Sequence, residues 1–75
     1  MFIIMKGATK LAEINEMPIS INRSLTDAVL LFPSFTMEIK NASNIEQLYT
    51  YISSASPSND KTLIWDCITG SVQIK

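Results

Sequence analysis

The chain has 75 residues, of which 47% are hydrophobic and 17% are charged, and its formal net charge is −1 at pH 7. It contains no histidine and a single cysteine, which excludes an internal disulfide and a zinc site built from cysteine and histidine. A domain of this size buries only about 60% of the surface that its unfolded chain exposes, and small domains commonly need a disulfide, a metal or association. Association with another chain is the remaining means of stabilisation, and we expect no cofactor.

The charge pattern limits the classes of partner. Charged residues are scarcer than the roughly 25% of an average globular domain, and a net charge near zero favours association. Five lysines and one arginine are spread along the chain without a basic stripe, which argues against nucleic-acid binding. The longest apolar runs, Met1–Met5 and Ala28–Phe32, are far shorter than the ~20 residues of a membrane-spanning helix. We therefore expect a cytoplasmic protein with a reduced Cys67 that binds another protein and no membrane.

The N-terminal segment predicts a strand followed by an ambiguous stretch. Phe2–Lys6 is rich in β-branched and apolar residues, which is typical of a strand. Residues 8–22 allow two interpretations: Ala8–Glu16 is either a short helix or the return arm of a hairpin. Pro18 ends either element, and Ile19–Ile21 then alternates like a strand.

The segment that begins at Ser24 predicts a short apolar helix. Ser24 suits the N-cap, and Pro33 closes the segment because it disfavours helical geometry before it. The apolar residues at the spacing of one helix face are Leu25, Ala28, Val29 and Phe32. Leu30 and Leu31 lie outside that face, so the helix would be apolar nearly all round. A buried strand over Ala28–Phe32 is the alternative, which the periodicity of so short a run does not exclude.

The middle of the chain predicts a strand and then a helix. Phe35–Lys40 alternates apolar with polar residues, the period of a half-buried strand. Ser43–Glu46 matches a capping box at the start of a helix. The apolar face of that helix comprises Ile45, Leu48, Ile52 and Ala55. The turn-forming residues Ser56–Asp60 end it.

The C-terminal segment predicts a hairpin. Lys61–Ile68 is a strand, and Thr69–Gly70 is a turn into a last strand over Ser71–Lys75. The whole chain, residues 1–75, therefore predicts a single α+β domain. We expect a small two-layer fold, with a four- or five-stranded mostly antiparallel sheet and one or two helices on one face.

The chain offers little for catalysis. A nucleophilic Cys67 would need a base, the chain has no histidine, and the neighbouring Asp66 opposes the thiolate. We expect Cys67 to be a structural thiol and the carboxylates to be solvated charges or helix caps. The glycines are isolated turn residues and form no phosphate-binding loop. The sequence therefore predicts no catalytic residue and no metal ligand.

Residue types that are enriched in protein interfaces give a set of candidates. Leu63, Trp65 and Cys67 alternate with a second side that contains Ile64, and both sides of this strand are largely apolar. Such a strand is either covered twice or meets another chain on its second side. The candidate interface residues are Trp65, Tyr51, Tyr49, Leu30, Leu31, Ile64 and Arg23.

These observations predict a small non-catalytic protein-binding module, an inhibitor or adaptor that occupies the surface of a partner protein. Chains of this size that begin at their own methionine and lack catalytic chemistry are often carried by phages or mobile elements, where they block a host defence or regulatory protein. Anti-CRISPR and related anti-defence proteins form the leading class. The alternative is a homo-oligomeric structural or assembly subunit, such as a homodimer, whose apolar sheet face is covered by a copy of itself.

Overall fold

In the computed structural model, which describes residues 1–42, 44–54 and 60–75, the chain forms seven strands and one helix. Their bounds are β1 Phe2–Lys6, β2 Thr9–Ile14, β3 Ser20–Ser24, β4 Asp27–Leu31, β5 Thr36–Ile39, α1 Glu46–Ser54, β6 Leu63–Asp66 and β7 Val72–Ile74. The described strands form a four-stranded sheet in the order β2-β1-β6-β7 and a three-stranded sheet in the order β3-β4-β5. The α+β class agrees with the prediction, but two sheets replace the expected single sheet.

The four-stranded sheet is centred on a parallel pair, β1 and β6, and its other two pairings are antiparallel. Backbone hydrogen bonds continue this pairing beyond the strands: Leu63 donates to the Met1 carbonyl and Cys67 donates to the Met5 carbonyl, each at 2.9 Å. Alternate residues of both strands point into the core, namely Phe2, Ile4, Leu63 and Trp65. The first strand is thereby fixed against the C-terminal hairpin.

The predicted helix after Ser24 is wrong, because this segment forms β4, the central strand of the three-stranded sheet. Ala28, Leu30 and Phe32 are buried. These three residues lie two positions apart, which is the spacing of side chains on one face of a strand. The apolar residues of this run also fit the spacing of one helix face, so the sequence pattern alone allows both structures. Both neighbours of β4 pair with it, so its backbone groups are hydrogen-bonded on both sides. This tertiary pairing decides in favour of the alternative strand.

Of the ambiguous residues 8–22, the segment Ala8–Glu16 contains β2, the return arm of a hairpin, rather than a helix. The pair Lys6 and Thr9 closes a two-residue turn between β1 and β2, and Gly7 in that turn has a φ of 64°. Two-residue hairpin turns require such positive φ values, which glycine adopts without strain. The predicted strand over Phe35–Lys40 is confirmed as β5, and the alternation from Ile19 continues as β3.

The predicted second helix is confirmed as α1, which packs against β3. Ile45 and Leu48 are buried and Ile52 is half-buried, as the predicted apolar face requires. Ala55, the cap residue Ser43 and most of the predicted turn lie outside the described residues. The Glu46 carboxylate forms an ion pair with the guanidinium of Arg23. The predicted capping box involves Ser43 and so lies outside the described residues.

A close junction joins the segment before α1 to the β6–β7 hairpin. The indole N–H of Trp65 donates to the Asn44 carbonyl at 3.2 Å, and the Asn44 side-chain amide donates to the Ile68 carbonyl. Gly70 has a φ of 80°, and a Cβ at this position would lie 3.1 Å from the Asn44 Cβ. Glycine is required there by both its backbone conformation and the close approach.

Buried side chains from both sheets and the helix form one hydrophobic cluster. Phe2 of β1 meets Phe32 edge-to-face with ring centroids 5.8 Å apart, and Phe32 stacks on Phe35 at 4.7 Å. Such aromatic pairs add about 0.5–1.5 kcal/mol to the gain from burial. The two sheets are therefore joined through Phe32.

Leu25 provides a test of backbone strain in the β3–β4 hairpin. It has a φ of 59° and is 91% exposed at the hairpin tip. The left-handed conformation costs an L-residue about 1–2 kcal/mol, whereas glycine adopts it freely at a smaller entropic cost. We expect Leu25→Gly to raise the free energy of unfolding by up to about 1 kcal/mol, measured by urea denaturation.

Leu25→Ala is the matched control, because it retains the Cβ and therefore the strain. Its free energy of unfolding should stay within about 0.5 kcal/mol of the wild-type value, since the leucine side chain is exposed. Equal gains in both variants would show that the backbone at this position is not strained.

Candidate protein interface

The structure separates the predicted interface residues into buried and exposed groups. Trp65 and Leu30 are each 0% exposed, because they point from the central strands β6 and β4 into the core. Neither is available to a partner, which corrects the prediction for both residues. Trp65 instead supports the fold through its hydrogen bond to Asn44.

The other five candidates lie on three surfaces. Ile64 is half-buried on the outer face of the four-stranded sheet, and Leu31 is exposed on the outer face of the three-stranded sheet. Tyr51, Tyr49 and Arg23 lie around α1, where they line two adjacent grooves. The structure therefore brings together three of the seven predicted residues.

A groove of about 500 Å³ lies between α1 and β7. Its lining residues are Glu46, Gln47, Thr50, Tyr51 and Ser54 of α1 and Val72 and Ile74 of β7. Val72 and Tyr51 also pack against the hydrophobic core, so the floor of the groove is continuous with it. We call this site the α1–β7 groove.

The register of β7 explains why its apolar side chains line this groove. Val72 lies opposite Trp65 and Ile74 lies opposite Leu63 in the antiparallel pairing with β6. Opposite residues point to the same face of a sheet, and Trp65 and Leu63 point into the core. Val72 and Ile74 therefore point toward the face that carries α1, while Gln73 points to the outer face.

The backbone of β7 has groups that face away from β6. Thr62 and Lys75 exchange both backbone hydrogen bonds, at 3.0 and 2.8 Å, and Asp66 donates to the Ser71 carbonyl at 2.9 Å. In an antiparallel pair, alternate residues bond to the same neighbour. The N–H and C=O groups of the intervening residues, Val72 and Ile74, consequently point away from β6, to the side of β7 on which the described residues form no further strand. We call this side the open edge of the sheet.

A second groove, of about 310 Å³, lies on the other flank of α1. It is lined by Tyr49, Arg23 and Ile45, and it shares Glu46 and Thr50 with the α1–β7 groove. The ion pair between Arg23 and Glu46 crosses the boundary between the two grooves. The exposed residues of α1 and both grooves thus form one continuous surface.

The outer face of the four-stranded sheet carries a second apolar surface, which we call the outer-face strip. Ile3 and Ile64 are direct partners in the β1–β6 pairing, and both are half-buried, as is Met5. Polar residues surround them in a hollow of about 350 Å³, including Lys10, Asp66, Ser71 and Gln73. The sequence predicts a second apolar side of β6, and Ile64 is the residue of that side that lies in this strip.

The titratable groups near the β6–β7 turn have structural partners. The Asp66 carboxylate accepts hydrogen bonds from the amides of Ile68 at 2.8 Å and Thr69 at 3.3 Å, which hold the pKa of Asp66 below its usual range. Burial raises the pKa of the Cys67 thiol, and the Asp66 carboxylate raises it further. Cys67 is therefore a neutral thiol near pH 7.

Within residues 1–42, 44–54 and 60–75, no cluster of three or more acidic or cysteine side chains could hold a metal ion.

Sequence reasoning missed Val72 and Ile74. The alternation in Ser71–Lys75 indicates a strand, but it does not show which side of the strand remains open. That depends on the pairing of β6 with β1, which joins residues far apart in the sequence. Tyr51 was found because its residue type is common in interfaces.

Comparison with known protein families, curated proteins and solved structures found no match to this chain. In the part of the chain that the structure describes, no helix is both long and apolar enough to cross a membrane. The geometry of the two grooves and of the outer-face strip is therefore the basis for a functional proposal.

Two lowered carboxyl pKa values predict how stability depends on acid. The pKa of Asp27 is lowered mainly by a hydrogen bond from the Asn41 amide, and to a smaller extent by the Lys40 ammonium. The pKa of Asp66 is lowered by hydrogen bonds from the Ile68 and Thr69 amides. Carboxyl groups of unfolded chains titrate near pH 3.9, so this stability is present above about pH 4 and is lost as the pH falls through the lowered values. We expect Asp66→Asn to flatten the loss of unfolding free energy below pH 4.

Urea denaturation between pH 7 and pH 2 measures this effect. The asparagine retains an oxygen that can accept the two amide hydrogen bonds, so the variant removes the titration and keeps the turn. Asp27→Asn should have its own, additive effect, since the two carboxylates have different partners. If the unfolding free energy of both variants fell below pH 4 as much as that of the wild type, protonation of Asp27 and Asp66 would not be the cause of the loss.

Proposed function

We propose that this protein is a non-catalytic protein-binding module, an inhibitor or adaptor that acts by occupying the surface of a partner protein. The observation that carries the proposal is the α1–β7 groove, where Tyr51, Val72 and Ile74 leave apolar surface beside the open edge of a sheet. Ile74 is 44% exposed in the free chain. Covering this surface with a partner would remove it from water, which favours binding.

The arrangement of side chains around the groove supports this role. Tyr51 is half-buried and anchored on the core, so an interface would gain its ring area at little cost in conformational entropy. The exposed residues Glu46, Gln47 and Thr50 surround the apolar floor. An apolar centre within a polar rim is the usual anatomy of a protein interface.

We further propose a host defence or regulatory protein as the partner, bound in the cytoplasm, and a phage or mobile element as the source of the chain, as in anti-CRISPR and related anti-defence proteins. The support is the composition of the chain, which lacks histidine, the most common general base. The free and buried Cys67 supports a reducing compartment.

Substitutions in the groove test the interface. We expect Tyr51→Ala to weaken capture of the partner about 30-fold, since an aromatic hot-spot residue contributes about 2 kcal/mol or more to binding. Capture is measured with the tagged chain in host lysate, and the bound protein is identified by mass spectrometry. A photo-crosslinking residue in place of Tyr51 should then link to that same protein.

Two further variants make this result interpretable. Thr50→Arg places a long charged side chain at an exposed position that lines both grooves, and should block capture without a loss of core packing. Leu31→Ala, at an exposed position on the other sheet, should leave capture unchanged. Unimpaired capture by folded Tyr51→Ala and Thr50→Arg would rule out this groove as the interface.

The outer-face strip supports a second candidate function, a homo-oligomeric structural or assembly subunit. Ile3, Met5 and Ile64 form an apolar patch with a polar rim, and such patches are common at sites of association. Packing two copies of the four-stranded sheet face to face would cover it. This candidate requires no foreign target.

Light scattering separates the two candidates. We expect a monomer at micromolar concentration, because a stable interface buries about 800 Å² on each partner, far more than three half-buried side chains offer. Ile64→Lys, which can extend its charged end into water, should therefore leave the mass unchanged. A wild-type dimer that Ile64→Lys dissociates and Thr50→Arg does not would favour the homo-oligomer and replace the proposed function.

A further inference from the structure

We infer that the α1–β7 groove binds an extended segment of a partner protein, which adds to the open edge of β7 as a further β-strand. This inference rests on the proposed function and specifies its mode of recognition. The recognised segment would have four or five extended residues with apolar side chains at alternate positions.

Among the edge strands of the two described sheets, β7 differs in its lack of charge. Lys10 and Glu13 lie in β2, Arg23 lies in β3, and Glu38 lies in β5, whereas Val72–Ile74 has no charged residue. The pairing of β2 with β1 also contains a register shift. Charged side chains and irregular pairing protect an edge from additional strands. Val72–Ile74 lacks both of these features, and the charged Lys75 lies beyond the end of the strand.

The open edge is longer than the three residues of β7 itself. Backbone hydrogen bonds extend its pairing with β6 from Ser71 to Lys75. At about 3.4 Å per residue, this segment is roughly 17 Å long, which suits an added strand of four or five residues. The N–H and C=O groups of Val72 and Ile74 supply two donors and two acceptors along it, with the spacing of an antiparallel or parallel ladder.

The groove gives the added strand a place for its side chains. Alternate side chains of a strand point to the same face, so those on the helix side would enter the space between α1 and β7. There they would contact Tyr51 and the exposed part of Ile74. Backbone hydrogen bonds supply affinity in this mode of binding, and the side-chain pockets supply specificity.

The charge of the groove selects the side chains that enter it. Of the described residues that line the groove, Glu46 alone is charged, and Arg23 forms an ion pair with it. A charged side chain of the segment would lose water there without an oppositely charged partner. The groove therefore favours uncharged, apolar side chains on the helix side of the segment.

The area of the site favours a segment over a second copy of the chain. Seven of the described residues line the groove, whereas a standard protein interface uses about 20–30 residues on each side. Pairing two β7 strands about a two-fold axis perpendicular to the sheet would place both α1 helices on one face. Because α1 itself borders the groove, the second helix would compete for the space above the shared edge. An extended segment introduces no such helix.

Amide hydrogen exchange tests strand addition directly. The probe is a synthetic peptide taken from a random 12-residue library displayed on phage and selected on the immobilised full chain. In the free chain, we expect the amides of Val72 and Ile74 to exchange rapidly and that of Gln73, which faces β6, to be protected. With the peptide at about one hundred times its Kd, exchange at Val72 and Ile74 should slow about 100-fold, and Gln73 should change much less.

A proline variant tests the same hydrogen bonds from the protein side. Ile74→Pro removes an N–H that faces the open edge and leaves the N–H groups that pair with β6. We expect it to weaken binding of the selected peptide at least tenfold, since a hydrogen bond and its geometry are lost. Ile74→Ala, the matched control, shortens the side chain, retains the N–H and should weaken binding less.

A modified peptide gives an answer even where Ile74→Pro does not fold. N-methylation of the residues whose N–H groups face β7 should abolish binding, whereas N-methylation of the intervening residues should not. Failure to select any peptide, or slowed exchange at amides other than Val72 and Ile74, would overturn the inference. Protection of these two amides that rises with protein concentration in the absence of peptide would identify a second copy as the occupant, and would overturn it also.

The inference and the proposed function fail in different ways. If Tyr51→Ala weakens capture of the partner and folded Ile74→Pro leaves capture unchanged, the interface stands and strand addition is wrong. If folded Tyr51→Ala and Thr50→Arg leave capture unchanged, the proposed function at this groove is wrong, whatever the peptide does.

Discussion

The parallel pairing of β1 with β6 is the interaction on which the rest of this structure depends. It joins strands about sixty residues apart: the Met1 amino group donates to the Lys61 carbonyl at 2.8 Å, and the ladder runs from Phe2 opposite Leu63 onward. Closing so long a loop costs conformational entropy, which the buried side chains of both strands offset. Once this pair forms, the hairpin partners of each strand, β2 and β7, become the edges of the sheet.

The same pairing explains where the apolar surplus of the sequence lies. Central strands that are apolar on both sides normally have both faces covered. Here α1 and the three-stranded sheet pack with the inner face of β1 and β6, where Trp65 is fully buried. The outer neighbours Ile3 and Ile64 remain only half-buried. A short chain with one described helix has covered one face of its larger sheet, so apolar surface remains at the outer-face strip and along β7.

Local sequence patterns predict the strands and helices that composition and periodicity alone determine. They fail for segments whose conformation depends on pairing with strands distant in the sequence. Phe2–Lys6 and the helix that contains Leu48 follow from composition and periodicity, and both are confirmed. The run from Ala28 to Phe32 satisfies helical and strand spacing equally, and only its two neighbouring strands select the strand. For the same reason the sequence predicts Leu30 at an interface, whereas the side chain lies in the core. The division into two sheets was likewise beyond local patterns.

The α1–β7 groove illustrates how the site depends on contacts that no sequence window contains. Its helical wall is positioned by the junction in which Asn44 accepts from Trp65 and donates to Ile68, so the segment before α1 is fixed to the same hairpin that supplies β7. Both walls are therefore held by one small group of hydrogen bonds and by the close approach at Gly70. A groove held in this way needs little rearrangement to accept an extended segment, which lowers the entropic cost of binding. The junction that stabilises the fold thus also pre-organises the proposed site.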